Sequence, residues 1–198
     1  MLGEEVYNVD VVTVYTEAEM QAYVVVHGRT TRPAPPYAFL FPALLVTHAT
    51  RHLQASGYKR LEQVVLWGGY TTPHGVVLAS LLLPETEANW GWVHILPEEQ
   101  PKITEWLHNH GQLLFVEAHT HGFGPRATEL SAEDRRHPAG RQDGFLTLIV
   151  PGYAGSGIDF SQAGVWECHD LSWTRLASNQ VRSRLHIIEE EEVCRVLG

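Results

Sequence analysis

Residues 115–134, FVEAHTHGFGPRATELSAED, constrain the fold more than any other part of the chain. An apolar run ends at His119 and His121, a turn with glycine and proline follows, and Ser131 and Asp134 come next. Because side chains two apart on a strand share a face, both imidazoles can approach one ion. An acidic residue returned by the loop would be a third ligand and leave a fourth position for water. The segment therefore predicts a strand, a loop and a helix start around a catalytic metal site.

Histidine is frequent in this chain, so the H-x-H spacing alone is weak evidence, and a pair of ordinary polar residues at a strand end is the alternative. A second pair, His108 and His110, lies in a segment with helical periodicity that Gly111 would end. Residues two apart on a helix point roughly 200° apart, so that pair cannot easily share a metal. The predicted strand context is what distinguishes His119 and His121.

Composition limits the classes of protein to consider. The chain has 198 residues, enough for one domain with its own core. A net charge of −9 argues against nucleic acid as a partner. Cys168 and Cys194 form no CxxC pair, which disfavours a disulfide framework and favours a reducing compartment. With no signal-peptide pattern and no apolar run of about 18 residues, we predict a cytoplasmic protein without membrane contact.

The order of elements predicts an α/β (α+β) sandwich around a mixed sheet. Apolar runs indicate a strand pair in residues 8–28, strands at 62–66 and 76–83 separated by a glycine-rich turn, and strands at 113–121, 145–150 and 165–169. Helices are expected at 42–56, near 102–110 and from Ser131 onward, and residues 181–188 fit a strand or a short helix.

Two glutamates are candidates for the general base that a hydrolytic zinc site needs. Glu117 is an even number of residues from both histidines, so it could face the site and either hydrogen-bond a metal-binding histidine or act as a spare ligand. Glu62 begins an apolar run, where a charged group is costly unless it is paired or functional. An exposed Glu62 at a strand start is the alternative.

Together these residues resemble the JAMM (MPN+, JAB domain) zinc metalloprotease family. The pattern is Glu62 opening EQVVLWGG, then His119-Thr-His121, then Ser131 with Asp134 three residues later. The resemblance covers about residues 42–168. It implies an MPN/JAB-like sandwich, a curved mixed sheet flanked by helices, as a single domain over residues 36–198. Residues 1–35 would be an N-terminal β extension.

The resemblance also implies a role for each residue. His119, His121 and Asp134 would bind one Zn²⁺, with water completing the tetrahedron. Glu62 would take the proton of that water and deliver it to the leaving amine, and Ser131 would stabilise the oxyanion. The implied reaction is hydrolysis of the peptide or isopeptide bond after the C-terminal glycine of a ubiquitin-like protein. Partners would be that protein, its conjugates and E1-like or E2-like enzymes of the same pathway. The compact chain resembles the prokaryotic members, which act on ubiquitin-like modifiers or small sulfur carriers.

The chain departs from the family pattern at two places. Nine residues separate His121 from Ser131, two more than usual, and the proline that commonly follows the second histidine is absent. Glu117 stands where the family often has an aromatic residue. The longer loop affects the expected substrate more than the expected metal, since extra residues can bulge outward.

Two other functions fit less well. One is a non-catalytic MPN-type scaffold that binds a ubiquitin-like partner, although such relatives usually lack a ligand and here each is present. The other is zinc-dependent deamination of a nucleobase, which needs H-x-E and P-C-x-x-C elements. This sequence contains neither element, so we set that function aside.

Overall fold

The structure is a computed structural model that describes residues 10–13, 37–72, 75–136 and 142–189. Its strands are β1 (Asp10–Thr13), β2 (Phe39–Pro42), β3 (Val64–Thr72), β4 (Gly75–Leu83), β5 (Thr86–Ala88), β6 (Val93–Ile95), β7 (Leu113–Thr120), β8 (Leu146–Val150), β9 (Gly164–His169), β10 (Ser172–Arg175) and β11 (Leu185–Ile188). The helices are α1 (Ala43–Gly57), α2 (Glu99–Asn109) and α3 (Ser178–Arg184), with single 3-10 turns at Asp134–Arg136 and Gly152–Ala154.

Nine of these strands form one curved mixed sheet. Its order is β10-β9-β8-β7-β3-β4-β2-β11, with β1 paired to β4 beside β2. The pairs β7/β8, β2/β4 and β2/β11 are parallel and the others are antiparallel. The short strands β5 and β6 form a separate hairpin. The predicted α+β class, a mixed sheet flanked by helices, is confirmed.

Helices cover both faces of the sheet because the central strands are apolar on both sides. In β3, Val65 and Trp67 belong to the cluster that includes α1, whereas Val64 and Leu66 pack with α2. This alternation is the two-residue period of a strand. Val64 pairs with His119 on β7, so His119 lies on the face that carries α2.

The predicted turn between the two central strands was placed too early. Strand β3 continues through Gly68 and Gly69 to Thr72, with a bulge at the glycines. A Cβ at Gly69 would lie 2.3 Å from the carbonyl oxygen of Val77. The glycines therefore permit close strand pairing rather than chain reversal. Pro73 and the residue after it lie outside the described residues.

The helix expected to start at Ser131 is also wrong within the described part of the chain. Residues 131–136 form turns and one 3-10 turn, Asp134–Arg136. By contrast, residues 181–188 contain both expected elements, the end of α3 and all of β11. The expected N-terminal strand pair is described only at β1, and its remaining residues and Cys194 lie outside the described residues.

Among the described residues, no helix is both long and apolar enough to span a bilayer.

Candidate metal centre

The two histidines are positioned by the end of β7, a central strand of the sheet. His119 is buried and pairs with Val64 on one side and Ile149 on the other. His121 follows the last residue of the strand, and its backbone N–H donates to the carbonyl of Val150 at 3.0 Å. The strand pairing of His119 and the hydrogen bond of the His121 amide therefore fix the backbone from which each imidazole extends.

Three side chains converge in front of this strand end. The Nε2 atoms of His119 and His121 are 3.2 Å apart. Oδ1 of Asp134 lies 3.4 Å from Nε2 of His119, and Oδ2 lies 3.5 Å from Nε2 of His121. The three potential ligand atoms all lie within 4.8 Å of one another, so this cluster could hold a metal ion. Two imidazole nitrogens that face each other and a carboxylate need a proton or a cation between them.

The Ser131–Asp134 turn holds the third ligand through reciprocal hydrogen bonds. The Ser131 amide donates to the Asp134 carboxylate at 2.6 Å. The Ser131 hydroxyl oxygen accepts from the amides of Glu133 and Asp134 at 3.2 and 3.0 Å. Because both lone pairs of that oxygen are engaged, its hydrogen remains available to donate to another acceptor. One turn thus orients a carboxylate and a hydroxyl donor beside the imidazoles.

Glu117 contacts the far side of the His119 ring. Its buried carboxylate lies 2.9 Å from Nδ1 of His119, which donates to it in the tautomer that leaves Nε2 free to ligate. Burial would lower the pKa of His119, but the carboxylates of Asp134 and Glu117 raise it to about 10. The surroundings of His119 therefore favour a positive charge at this position.

Glu62 faces the cluster from the segment before β3. The strand begins two residues later than expected, yet Glu62 is buried, with 5% exposure. Desolvation raises its pKa to about 7, against the opposing influence of both imidazoles and of a hydrogen bond from the Gly122 amide. A carboxyl group with a pKa near neutrality is suited to exchange protons at physiological pH.

All six residues singled out in the sequence line one small cavity of about 60 Å³. These are Glu62, Glu117, His119, His121, Ser131 and Asp134.

The Asp134 carboxylate is held in its ionised form. Burial opposes its ionisation, but hydrogen bonds from the two histidines lower its pKa well below the usual range.

One segment of the cavity lining was missed in the sequence. This segment is Gly91 to Ile95, from the β5–β6 hairpin. The Trp92 and His94 rings stack at 4.6 Å, and Nε2 of His94 lies 2.7 Å from the Glu133 carboxylate. Strands of three residues carry little periodicity. The only local signal is Asn89, whose side chain accepts from the amides of Gly91 and Trp92.

Comparison with known proteins extends to the fold alone. No family model matches the chain, and no curated protein matches it. Among solved structures, it is similar to the solution structure of protein DSY2949 from Desulfitobacterium hafniense, with a TM-score of 0.54 and 14% identity. The match covers 77% of this chain and 94% of that one. At this identity the likeness concerns the arrangement of strands and helices.

Proposed function

We propose that this protein is a zinc-dependent peptidase of the JAMM type. It would hydrolyse the peptide or isopeptide bond that follows the C-terminal glycine of a ubiquitin-like protein. The observation that carries the proposal is the convergence of His119, His121 and Asp134 in a cavity that also contains the buried Glu62. The order of these residues in the chain, which resembles the family pattern, supports it.

Zinc is the metal that best suits the donor set. Two imidazole nitrogens and one carboxylate are the ligands of hydrolytic zinc sites, whereas Mg²⁺ and Ca²⁺ prefer oxygen atoms alone. The carboxylate behind His119 is the outer partner that such a ligand usually has. A bound Zn²⁺ supplies a Lewis acid that polarises a scissile carbonyl and acidifies water.

Glu62 and Ser131 then have separate tasks. Glu62, with a pKa of about 7, takes a proton from the attacking water and returns it to the leaving amine. Ser131 donates its hydroxyl hydrogen to the carbonyl oxygen as negative charge develops there, because its lone pairs already accept two amides. Both groups are in place before substrate binds, so little reorganisation is needed.

The choice of a ubiquitin-like tail as the substrate rests on the resemblance of the residue pattern to the family. The cavity of about 60 Å³ accommodates a few groups the size of water. A flexible tail that ends in glycine can reach such a cavity in an extended conformation.

The test combines metal content with cleavage of a ubiquitin-like fusion protein. We expect one zinc per chain in the wild type, and cleavage at the glycine. Glu62→Gln should keep the zinc and lose at least about a hundredfold in kcat, since a general base contributes roughly 10²–10⁴. His119→Asn should lose both zinc and cleavage.

A second histidine pair provides the matched control. His108 is exposed on α2 and belongs to the other H-x-H pair, so His108→Asn should retain zinc and activity. Wild-type protein without zinc, prepared without chelators, would overturn the proposal. Full zinc with no cleavage of any ubiquitin-like fusion would favour the scaffold alternative instead.

A further inference from the structure

The 3-10 turn Gly152–Ala154 that follows β8 has an unusual backbone. Three successive residues have positive φ angles: 61° at Gly152, 55° at Tyr153 and 57° at Ala154. Two of them are not glycine, and the left-handed region disfavours side chains with a Cβ. Such a conformation persists only where surrounding contacts impose it, and those contacts often belong to a functional site.

The contacts that impose this turn connect it to the metal centre. The Tyr153 amide donates to the carbonyl of His121 at 2.9 Å, and the Gly152 amide donates to that of Gly122 at 3.3 Å. On its other side the turn packs against α1: a Cβ at Gly57 would lie 2.2 Å from the carbonyl oxygen of Tyr153. The turn is therefore clamped between α1 and the backbone that carries a metal ligand.

The Tyr153 side chain extends from this turn to Trp90, the residue before the cavity-lining Gly91. Its hydroxyl donates to the carbonyl of Trp90 at 2.8 Å, across 63 residues of sequence. The residue is 8% exposed, and Gly122 leaves space for its hydroxyl, since a Cβ there would lie 2.9 Å away. Tyr153 thus joins the His121 backbone to the segment 90–92 of the hairpin.

Two exposed aromatic side chains lie next to Tyr153, one on the segment 90–92 and one after Gly122. Trp90 is 76% exposed, and Phe123, whose ring meets the Tyr153 ring edge to face at 5.9 Å, is 83% exposed. Large aromatic side chains left exposed beside a cavity are typical of binding surfaces. The segment is held at its base by the Glu62 amide, which donates to the Asn89 carbonyl, and Tyr153 holds it at the next residue.

We propose that Tyr153 is a positioning residue that fixes the Trp90–Trp92 segment, whose Gly91 and Trp92 line the cavity, as a substrate-binding surface beside the metal ligands. It acts through the segment and touches neither metal nor scissile bond. The expected change in KM rests on the proposed peptidase function, whereas the expected change in hydrogen exchange at the segment does not.

The test compares Tyr153→Phe with Tyr70→Phe in the full chain. Tyr70 on β3 is also buried and also donates its hydroxyl to a backbone carbonyl, that of His110 after α2, and its oxygen accepts from the Gln112 side chain as well. Hydrogen exchange at residues 89–92 is measured for both variants, together with Co²⁺ affinity, kcat and KM on a ubiquitin-like fusion. We expect a lower melting temperature for both, with the larger drop in Tyr70→Phe, and Co²⁺ affinity within about twofold of wild type for both.

Only Tyr153→Phe should speed exchange at 89–92 and raise KM by about three- to tenfold, the effect of one lost hydrogen bond, with kcat nearly unchanged. Equal exchange and equal KM in the two variants would overturn the proposal, as would a joint loss of kcat and Co²⁺ affinity in Tyr153→Phe. If the wild type cleaves no fusion, the peptidase function fails by itself, and the exchange comparison still decides whether Tyr153 holds the segment.

Discussion

Glu117 and Asp134 contact opposite ends of the same imidazole ring. The first carboxylate lies 2.9 Å from Nδ1 of His119 and the second 3.4 Å from Nε2. Only one of these nitrogens can ligate a metal in this cavity, and the hydrogen bond to Glu117 determines which one. Glu117 therefore sets which nitrogen of His119 faces His121 and Asp134.

We therefore predict that Glu117→Gln weakens Zn²⁺ binding by about tenfold to a hundredfold, the usual effect of removing the outer partner of a metal-binding histidine. The amide oxygen of the glutamine can still accept the hydrogen bond from Nδ1 of His119, but it carries no negative charge to favour a bound cation. Competition with a chromogenic chelator measures the affinity.

Glu133→Gln is the control for charge alone. Glu133 is adjacent to Asp134 in the chain, yet its side chain is 63% exposed and pairs with His94 rather than His119. Removing an exposed charge in solvent has a small effect because water and salt screen it. Equal losses of affinity in the two variants would mean that the Glu117 hydrogen bond has no specific role.

At the scale of elements, the features with strong periodicity were predictable from sequence. The strand that carries His119 and the helix that ends before Gly111 occur where the pattern places them. In β7, alternation also places Glu117 on the same side as His119, so these two site residues could be found from one strand, and His121 directly follows its last residue. Gly111 has a φ of 62°, the conformation that its role as a helix stop requires. The cap at Ser131 was also predictable, because Ser131 and Asp134 exchange the reciprocal hydrogen bonds of a capping box, although only one 3-10 turn follows within the described residues.

Elements that depend on distant contacts were not predictable. The hairpin that lines the cavity is held by two distant residues. Tyr153 contacts Trp90 across 63 residues of sequence, and Glu133 contacts His94 across 39. No pattern within a short window contains such information.

The end of α3 is joined to the sheet by a buried ion pair. Arg184 donates to both carboxylate oxygens of Glu167 on β9, one of them at 2.7 Å, and its Nε donates to the carbonyl of Tyr37. Nε2 of His169 lies 2.9 Å from the same carboxylate. Burial opposes ionisation of Glu167, but Arg184 and His169 outweigh it and lower its pKa.

We predict that Glu167→Gln lowers the free energy of unfolding by about 3 kcal/mol at pH 7, because it leaves Arg184 buried without its charge partner. Since the folded pKa lies below the unfolded value, the ionised carboxylate stabilises the protein above about pH 4.5. This contribution is lost as pH falls through the folded pKa, so the two proteins should converge in acid. Urea unfolding at several pH values measures both effects.

The exposed pair of Glu129 and Arg175 serves as the comparison. Their side chains are 40% and 43% exposed, so Glu129→Gln should cost less than about 1 kcal/mol at pH 7. A similar cost for both substitutions would contradict the structural role given to Glu167.

At the scale of the whole molecule, the candidate metal centre connects segments that are far apart in the chain. Glu62 precedes β3, His119 lies on the neighbouring strand β7, and Asp134 begins the 3-10 turn that follows. A ligand that binds only the folded chain stabilises it by mass action, by about 4 kcal/mol at a thousand times Kd. Metal binding should therefore be visible as global stability.

This stabilisation should depend on pH. With Zn²⁺ at a thousand times Kd, the melting temperature should rise by about 8–16 °C, at 2–4 °C per kcal/mol for a chain of this size. Below the His119 pKa of about 10, the metal must displace a proton from that ring. At fixed zinc, each pH unit of acidification should therefore remove about 1.4 kcal/mol of stabilisation. An equal thermal shift at pH 6 and pH 8 would show that His119 exchanges no proton for the cation, and loss of the shift in His119→Asn but not in His108→Asn would assign it to this cluster.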